Sequence, residues 1–195
     1  MLVLLLCIKT NDSYGQAEVD TVFLMQQKVY HSLSDALANN DSVYILDLSK
    51  KKLTVFPREV FTFKNLRILD LSRNKISVLP EDIGNLVQLN GLDLSNNKIS
   101  RLPPSIGNLN QLVTLQLNRN VIDSLPPEMG NLKNLEVLEM WDNELGFIPE
   151  EVRGMNNLKV LELRGILFND EDQQRIRSLL PEANIYLSPS CNCKY

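Results

Sequence analysis

Histidine occurs once in this chain, tryptophan once and cysteine three times, among 195 residues. That scarcity removes most site chemistry at the outset. A histidine-cysteine metal centre needs three or four ligands, and His31 stands about 160 positions from Cys191 and Cys193. No metal or other cofactor is expected. The chain also lacks a glycine-rich phosphate loop, a Gly-x-Ser-x-Gly elbow and a His-Glu-x-x-His pair. Nothing in its spacing favours a Ser/His/Asp set assembled across the fold over chance. The chain therefore reads as non-enzymatic, with His31 an ordinary surface or cap residue.

Long apolar runs are missing too. No stretch approaches the roughly 18 apolar residues of a transmembrane helix. With 20 Lys and Arg against 24 Asp and Glu, the net charge of −4 excludes nucleic acid as the main partner. Yet 44% hydrophobic, 6% aromatic and 23% charged residues suggest neither disorder nor a membrane protein. They agree with one elongated domain.

What the chain does have is apolar residues on a fixed beat. Val43, Leu66, Leu89, Leu112, Leu135 and Leu158 are each twenty-three residues apart. The second turn reads Leu66, Leu69, Leu71, Asn74, Ile76, Leu79-Pro80, Ile83, Leu86, and the third, fourth and fifth keep the same register without insertion. The x-Leu-x-Leu-x stretch alternates with period two, which is a short strand with one face inward. One turn cannot bury its leucines alone, so similar turns must stack, their strands side by side in a parallel sheet. The Ile, Leu-Pro and Ile-Gly-Asn-Leu positions carry the chain back across the opposite, convex side. Pro80, Pro103, Pro126 and Pro149 fix φ there and donate no hydrogen bond, so no strand continues through them.

Asn74, Asn97, Asn120 and Asn143 stand where each strand turns away. An amide there can donate to and accept from backbone groups that the bend leaves unpaired, which predicts a structural ladder rather than a ligand site. Lys51 and Ile166 fill that slot in the outermost turns, as expected of repeats that seal the ends.

The flanks read as caps. Ser32 to Ala38 is a short helix capped by Ser32, with Leu33, Ala36 and Leu37 on the face that covers the first turn. Asp170 with Gln173 reads as an N-cap box opening a helix that carries Ile176, Leu179 and Leu180 and stops at Pro181. Asn184 to Leu187 alternates again, with Ile185 and Leu187 on one face, as a last short strand. At the start, Leu2 to Ile8 is wholly apolar and resembles a secretory signal peptide without a positive n-region. Ser13 and Gly15 would sit at the −3 and −1 positions for cleavage before Gln16, with Gly15 and Ala17 as a second pair; the other reading is a disordered or packed apolar N-terminus. The expected organisation is a signal peptide at 1–15, a cap at 16–42, six repeats at 43–168, a cap at 169–187 and a tail at 188–195. In the tail a strained local disulfide between Cys191 and Cys193, an intermolecular bridge and two free thiols all stay open.

The Leu-x-x-Leu-x-Leu-x-x-Asn frame resembles the leucine-rich repeat family, and the fold expected is an α/β solenoid with a concave parallel sheet and capped ends. The Leu-Pro-x-x-Ile-Gly-Asn-Leu return at Leu79 to Leu86 and Leu102 to Leu109 is similar to the Ras-suppressor and plant intracellular Ras-group class. The stretch Tyr30 to Leu37 running into Leu46-Asp47-Leu48 looks more like bacterial secreted members. What the resemblance implies is a protein or peptide partner held on the concave face.

The side chains expected on that face lie between and just after the inward leucines. One column is Asp47, Asp70, Asp93, Gln116, Glu139 and Glu162, whose carboxylates repel unless compensated. Lys50, Arg73 and Arg119, with Lys52, Lys75 and Lys98 at the rim, are the expected compensation. The Leu-Asp-Leu-Ser wording of the first turns is common family wording, whereas later turns depart from it. Gln116, Asn118, Glu139, Trp141, Asp142, Glu162 and Arg164 are therefore the candidate partner-binding residues. Trp141 is read either as a binding hot spot or as packed against Arg119 or Arg164. The leading expectation is an exported, secreted or periplasmic, non-catalytic interaction module. The alternatives are an intracellular scaffold for a small GTPase or similar regulator and, for an enzyme, a repeat-bearing ubiquitin ligase, for which no residues remain. Oligomeric state is not legible.

Overall fold

The computed structural model describes residues 22–190. The apolar run at the start and the two tail cysteines lie outside them. Eight strands form one parallel sheet in strict chain order: β1 (Val29–Tyr30), β2 (Ile45–Asp47), β3 (Ile68–Asp70), β4 (Gly91–Asp93), β5 (Thr114–Gln116), β6 (Val137–Glu139), β7 (Val160–Glu162) and β8 (Asn184–Tyr186). From β2 to β7 the register advances by the sequence period, so that Leu46, Leu69, Leu92, Leu115, Leu138 and Leu161 are side by side. All six are essentially inaccessible, and they form one continuous core with Val43, Leu66, Leu89, Leu112, Leu135 and Leu158. Burying each such side chain contributes about 2 kcal/mol, and only stacking permits it.

The convex return is made of short 3-10 turns, Arg58–Thr62, Glu81–Asn85, Pro104–Asn108, Pro127–Asn131 and Glu150–Gly154. Each starts just after a proline, at Pro57, Pro80, Pro103, Pro126 and Pro149. The turns stack directly, and glycine permits the closeness: a Cβ on Gly84 would stand 2.6 Å from the Ser105 carbonyl oxygen.

The asparagine ladder is present, and its wiring is between turns. Asn120 Nδ2 donates to the Leu94 and Leu117 carbonyls, and its Oδ1 accepts from the Ile99 N–H at 3.0 Å. Asn74, Asn97 and Asn143 make the equivalent bonds. Each amide thus ties its own turn to the one before. Lys51, in the first turn's slot, has no full repeat before it and lies exposed, while Ile166 fills its slot as a buried aliphatic. Asn65, Asn134 and Asn157 bond backward on the convex side in the same way, to Asp41, Asn110 and Lys133 carbonyls.

Both ends are covered. Helix α1 (Leu33–Leu37) takes Ser32 as its cap, whose hydroxyl accepts from the Asp35 N–H. Ala36 is buried and Leu33 packs on the core, but Leu37 is 43% exposed, so the covering face is narrower than its leucines suggest. Helix α2 (Asp170–Leu179) is capped by Asn169, not Asp170: the Asn169 Oδ1 accepts from the Asp172 N–H at 2.8 Å. Asp170 instead lies in the first turn with Glu171 and Asp172, where negative charge faces the helix dipole favourably. Gln173 donates to the Phe168 and Ser188 carbonyls and closes no capping box. Beyond α2, β8 extends the sheet parallel to β7.

Candidate functional site

Strand alternation puts three columns of side chains on the concave face, opposite to the inward leucines. The first is Ile45, Ile68, Gly91, Thr114, Val137 and Val160; the second is Asp47, Asp70, Asp93, Gln116, Glu139 and Glu162. The third, just past the strand ends, is Ser49, Ser72, Ser95, Asn118, Trp141 and Arg164. Its main chain continues the ladder, with the Arg119 N–H donating to the Trp141 carbonyl and the Asp142 N–H to the Arg164 carbonyl, each at 2.9 Å. Immediately after it, Lys50, Arg73, Asn96, Arg119, Asp142 and Gly165 all have positive φ, as the chain turns out of the sheet. Arg119 and Asp142 therefore branch from tight left-handed corners held by the ladder.

The first three turns use the second column internally. Asp47, Asp70 and Asp93 each accept the N–H of the serine two residues on, at 2.8 to 2.9 Å. Asp70 and Asp93 are only 3% exposed, so they are not the solvated, cation-screened surface that the sequence suggests. Among the described residues no lysine or arginine ion-pairs with either; Asp47 meets His31 Nδ1 at 3.3 Å. A local N–H is always within reach of a short carboxylate two residues before it, whereas a long basic chain must give up rotamer freedom to reach the same place. Burial raises the Asp70 carboxyl above its ordinary range and pushes Asp93 up to about 6.

That shift has a sign. The folded Asp93 holds its proton more tightly than the unfolded chain does, so folding is favoured as pH falls from about 6 towards 4, by roughly 2 kcal/mol. Urea unfolding from pH 7 to pH 4 is expected to show this gain. In Asp93→Asn it should be smaller, with the buried Asp70, raised in the same direction, supplying what remains.

From the fourth turn the wiring changes. Glu139 Oε2 accepts from Gln116 Nε2 at 3.1 Å and from Asn118 Nδ2 at 2.8 Å. Asn118 Oδ1 in turn accepts the Trp141 N–H at 3.1 Å. Asn118 is only 4% exposed, and Glu162 only 8%; neither is the open contact residue expected from the sequence. They hold others in place. Glu162 takes Arg164 through two guanidinium nitrogens, Nε at 2.8 Å and Nη2 at 2.6 Å, as well as its backbone N–H. That hydrogen-bonded carboxylate raises the Arg164 pKa further.

Trp141 is half-buried, with the Arg119 guanidinium 4.6 Å from its ring centre and the Arg119 Nε 3.5 Å from Asp142 Oδ2. Arg164 does not pack on it, but lies over Tyr186 of β8 at 5.8 Å. Gln116, Glu139, Trp141, Asp142 and Arg164 are thus gathered on the concave side of β5 to β7 and at its exit corners. Arg119 and Tyr186 join them. Arg119 was legible as a neighbour of Trp141, whereas Tyr186 belongs to a strand beyond the regular beat, paired with Glu162 at an offset of twenty-four.

The leucine-rich repeat region matches residues 24–183. The chain belongs to the leucine-rich repeat family. A leucine-rich repeat protein of Leptospira interrogans is 31% identical, with a TM-score of 0.67 over 85% of this chain and 49% of that one. The repeat ectodomain of the Arabidopsis thaliana membrane receptor kinase GASSHO1/SCHENGEN3, solved in complex with Casparian strip integrity factor 2, is 32% identical. Its TM-score is 0.66, and the match covers 82% of this chain and 19% of the ectodomain. An internalin of Listeria monocytogenes, 19% identical with a TM-score of 0.58 over 82% of this chain and 53% of that one, shares the fold. No curated protein matches. This repeat protein spans about half the length of its Leptospira relative. Among its described residues no helix is long and apolar enough to cross a membrane, and no group of three or more His, Cys, Asp or Glu is arranged for a metal.

Proposed function

We propose that this leucine-rich repeat protein is a non-catalytic, exported interaction module that holds a protein or peptide on the concave side of β5 to β7. One observation carries the reading: the chain's lone tryptophan, Trp141, stands half-exposed there with a fixed main chain, an arginine over one face and the Gln116–Asn118–Glu139 network beside it. Pre-organised aromatic side chains dominate binding energies because little rotamer entropy is lost on contact. In this reading Gln116, Glu139, Trp141, Asp142 and Arg164 touch the partner, and Asn118 and Glu162 position them. The fold itself is one that holds a ligand protein in the receptor ectodomain, which supports the class of function and no particular partner.

The test is partner capture from the native source followed by calorimetry. Replacing both Trp141 and Glu139 by alanine is expected to weaken the partner by about 2 kcal/mol or more; unchanged affinity would sink the proposed face. Export is read separately, by intact mass in each cell fraction. Loss of residues 1–15 from exported material is expected, and an intact start confined to the cytosol would refute it.

A further inference from the structure

The concave face already has an occupant at its other end. Residues 22–25 form a helical turn before β1, and Leu24, only 6% exposed, packs on Ile45 and Ile68 of the first column, each reduced to 2% exposure. Phe23 meets Tyr44 edge to face, with ring centres 5.1 Å apart. This small cluster is separate from the continuous core under the sheet.

We infer that residues 22–27 are a displaceable, tethered occupant of the partner's path, with Leu24 standing where an aliphatic side chain of the bound segment would lie. The inference rests on the concave-face reading above. The attachment is slight: the turn is closed by the Gln26 N–H to Phe23 and Gln27 N–H to Leu24 bonds, and among the described residues no backbone hydrogen bond joins 22–27 to the sheet. Val22, Phe23 and Met25 remain 43 to 57% exposed around the one inserted leucine. A segment held to the sheet by the Leu24 and Phe23 side chains, without backbone pairing among the described residues, belongs to the less stable part of a fold.

The column it fills is continuous with the proposed face. Beyond Ile68 come Gly91, Thr114, Val137 and Val160, and the last two are half-buried next to Glu139 and Glu162. A partner segment lying along the first column from β7 towards β2 would meet apolar or small side chains throughout. It would collide with Leu24 at the end. The ligand class is therefore an extended or single-turn peptide bearing a leucine-like residue, in competition with this segment.

The test uses the full chain with Leu24→Asp, with Leu24→Ala as a milder second variant and Met25→Asp as the exposed control. The trans probe is a peptide of residues 20–28. Methyl resonances of Ile45 and Ile68 are expected to move in both Leu24 variants and not in Met25→Asp, and the added peptide to restore them in Leu24→Ala without binding the parent. Unmoved Ile45 and Ile68 signals, or a peptide that binds neither Leu24 variant, would overturn the occupancy. For the captured partner, Leu24→Asp is expected to strengthen binding by the inverse of the fraction of time the site stands open, about tenfold for a site open one-tenth of the time. No gain in a complex that still depends on Trp141 overturns this inference alone; a complex indifferent to Trp141 overturns the concave-face reading instead.

Discussion

Asn120→Ala is expected to destabilise the protein by about 3 kcal/mol, seen as a lower midpoint in urea with an unchanged slope. The side chain is 7% exposed and satisfies groups on two turns: the Ile99 N–H, and the Leu94, Leu117 and Asn118 carbonyls. Alanine leaves the N–H buried with no acceptor, at roughly 1 to 3 kcal/mol, and takes one donor from each carbonyl, at about 0.5 kcal/mol or less apiece, since Leu94, Leu117 and Asn118 keep the Asn97 amide, the Asn143 amide and the Asn96 N–H. Asp in place of Asn restores the acceptor but not the amide donor, so it should recover only part of the loss. A change under about 1 kcal/mol for Asn120→Ala would mean that water enters the bend and that the ladder is not what couples turns. Because nearest-neighbour coupling holds a solenoid together, a shallower slope would report loss of cooperativity between the two halves.

Gly107→Ala should cost about 3 kcal/mol, for a reason invisible in the glycine's own conformation. Its φ is ordinary. The added Cβ would fall on the Glu128 carbonyl oxygen and 2.8 Å from the Glu128 Cβ, both in the next convex turn. Backbone cannot yield as a flexible side chain does, so the two stacked 3-10 turns must separate and loosen the leucines beneath them. Gly146→Ala is the control, since nothing lies within 4 Å of its would-be Cβ. Equal melting temperatures for the two variants would show that the convex stack has slack.

Both expectations come from positions that the repeat marks plainly. Asn120 and Gly107 recur at the same place turn after turn, and such repetition reports geometry that every turn must satisfy. The concave columns are a different case. There the alternation tells which residues face outward, and it correctly brings Gln116, Glu139, Trp141 and Arg164 onto one side. It does not tell which of them remain available. Asn118 is consumed by Glu139 and the Trp141 N–H, Glu162 by Arg164, and Asp70 and Asp93 by serine N–H groups.

By itself, then, the sequence determined the stack: a twenty-three-residue period with two inward leucines per strand has one low-energy arrangement, because a shift by a single residue would turn every leucine to solvent. Tertiary structure decided the rest. Arg119 rather than Arg164 covers Trp141, Asn169 rather than Asp170 caps the last helix, and Leu24 lies on Ile45 and Ile68. These choices depend on which partner a flexible side chain reaches once the turns are stacked, and no periodicity encodes that.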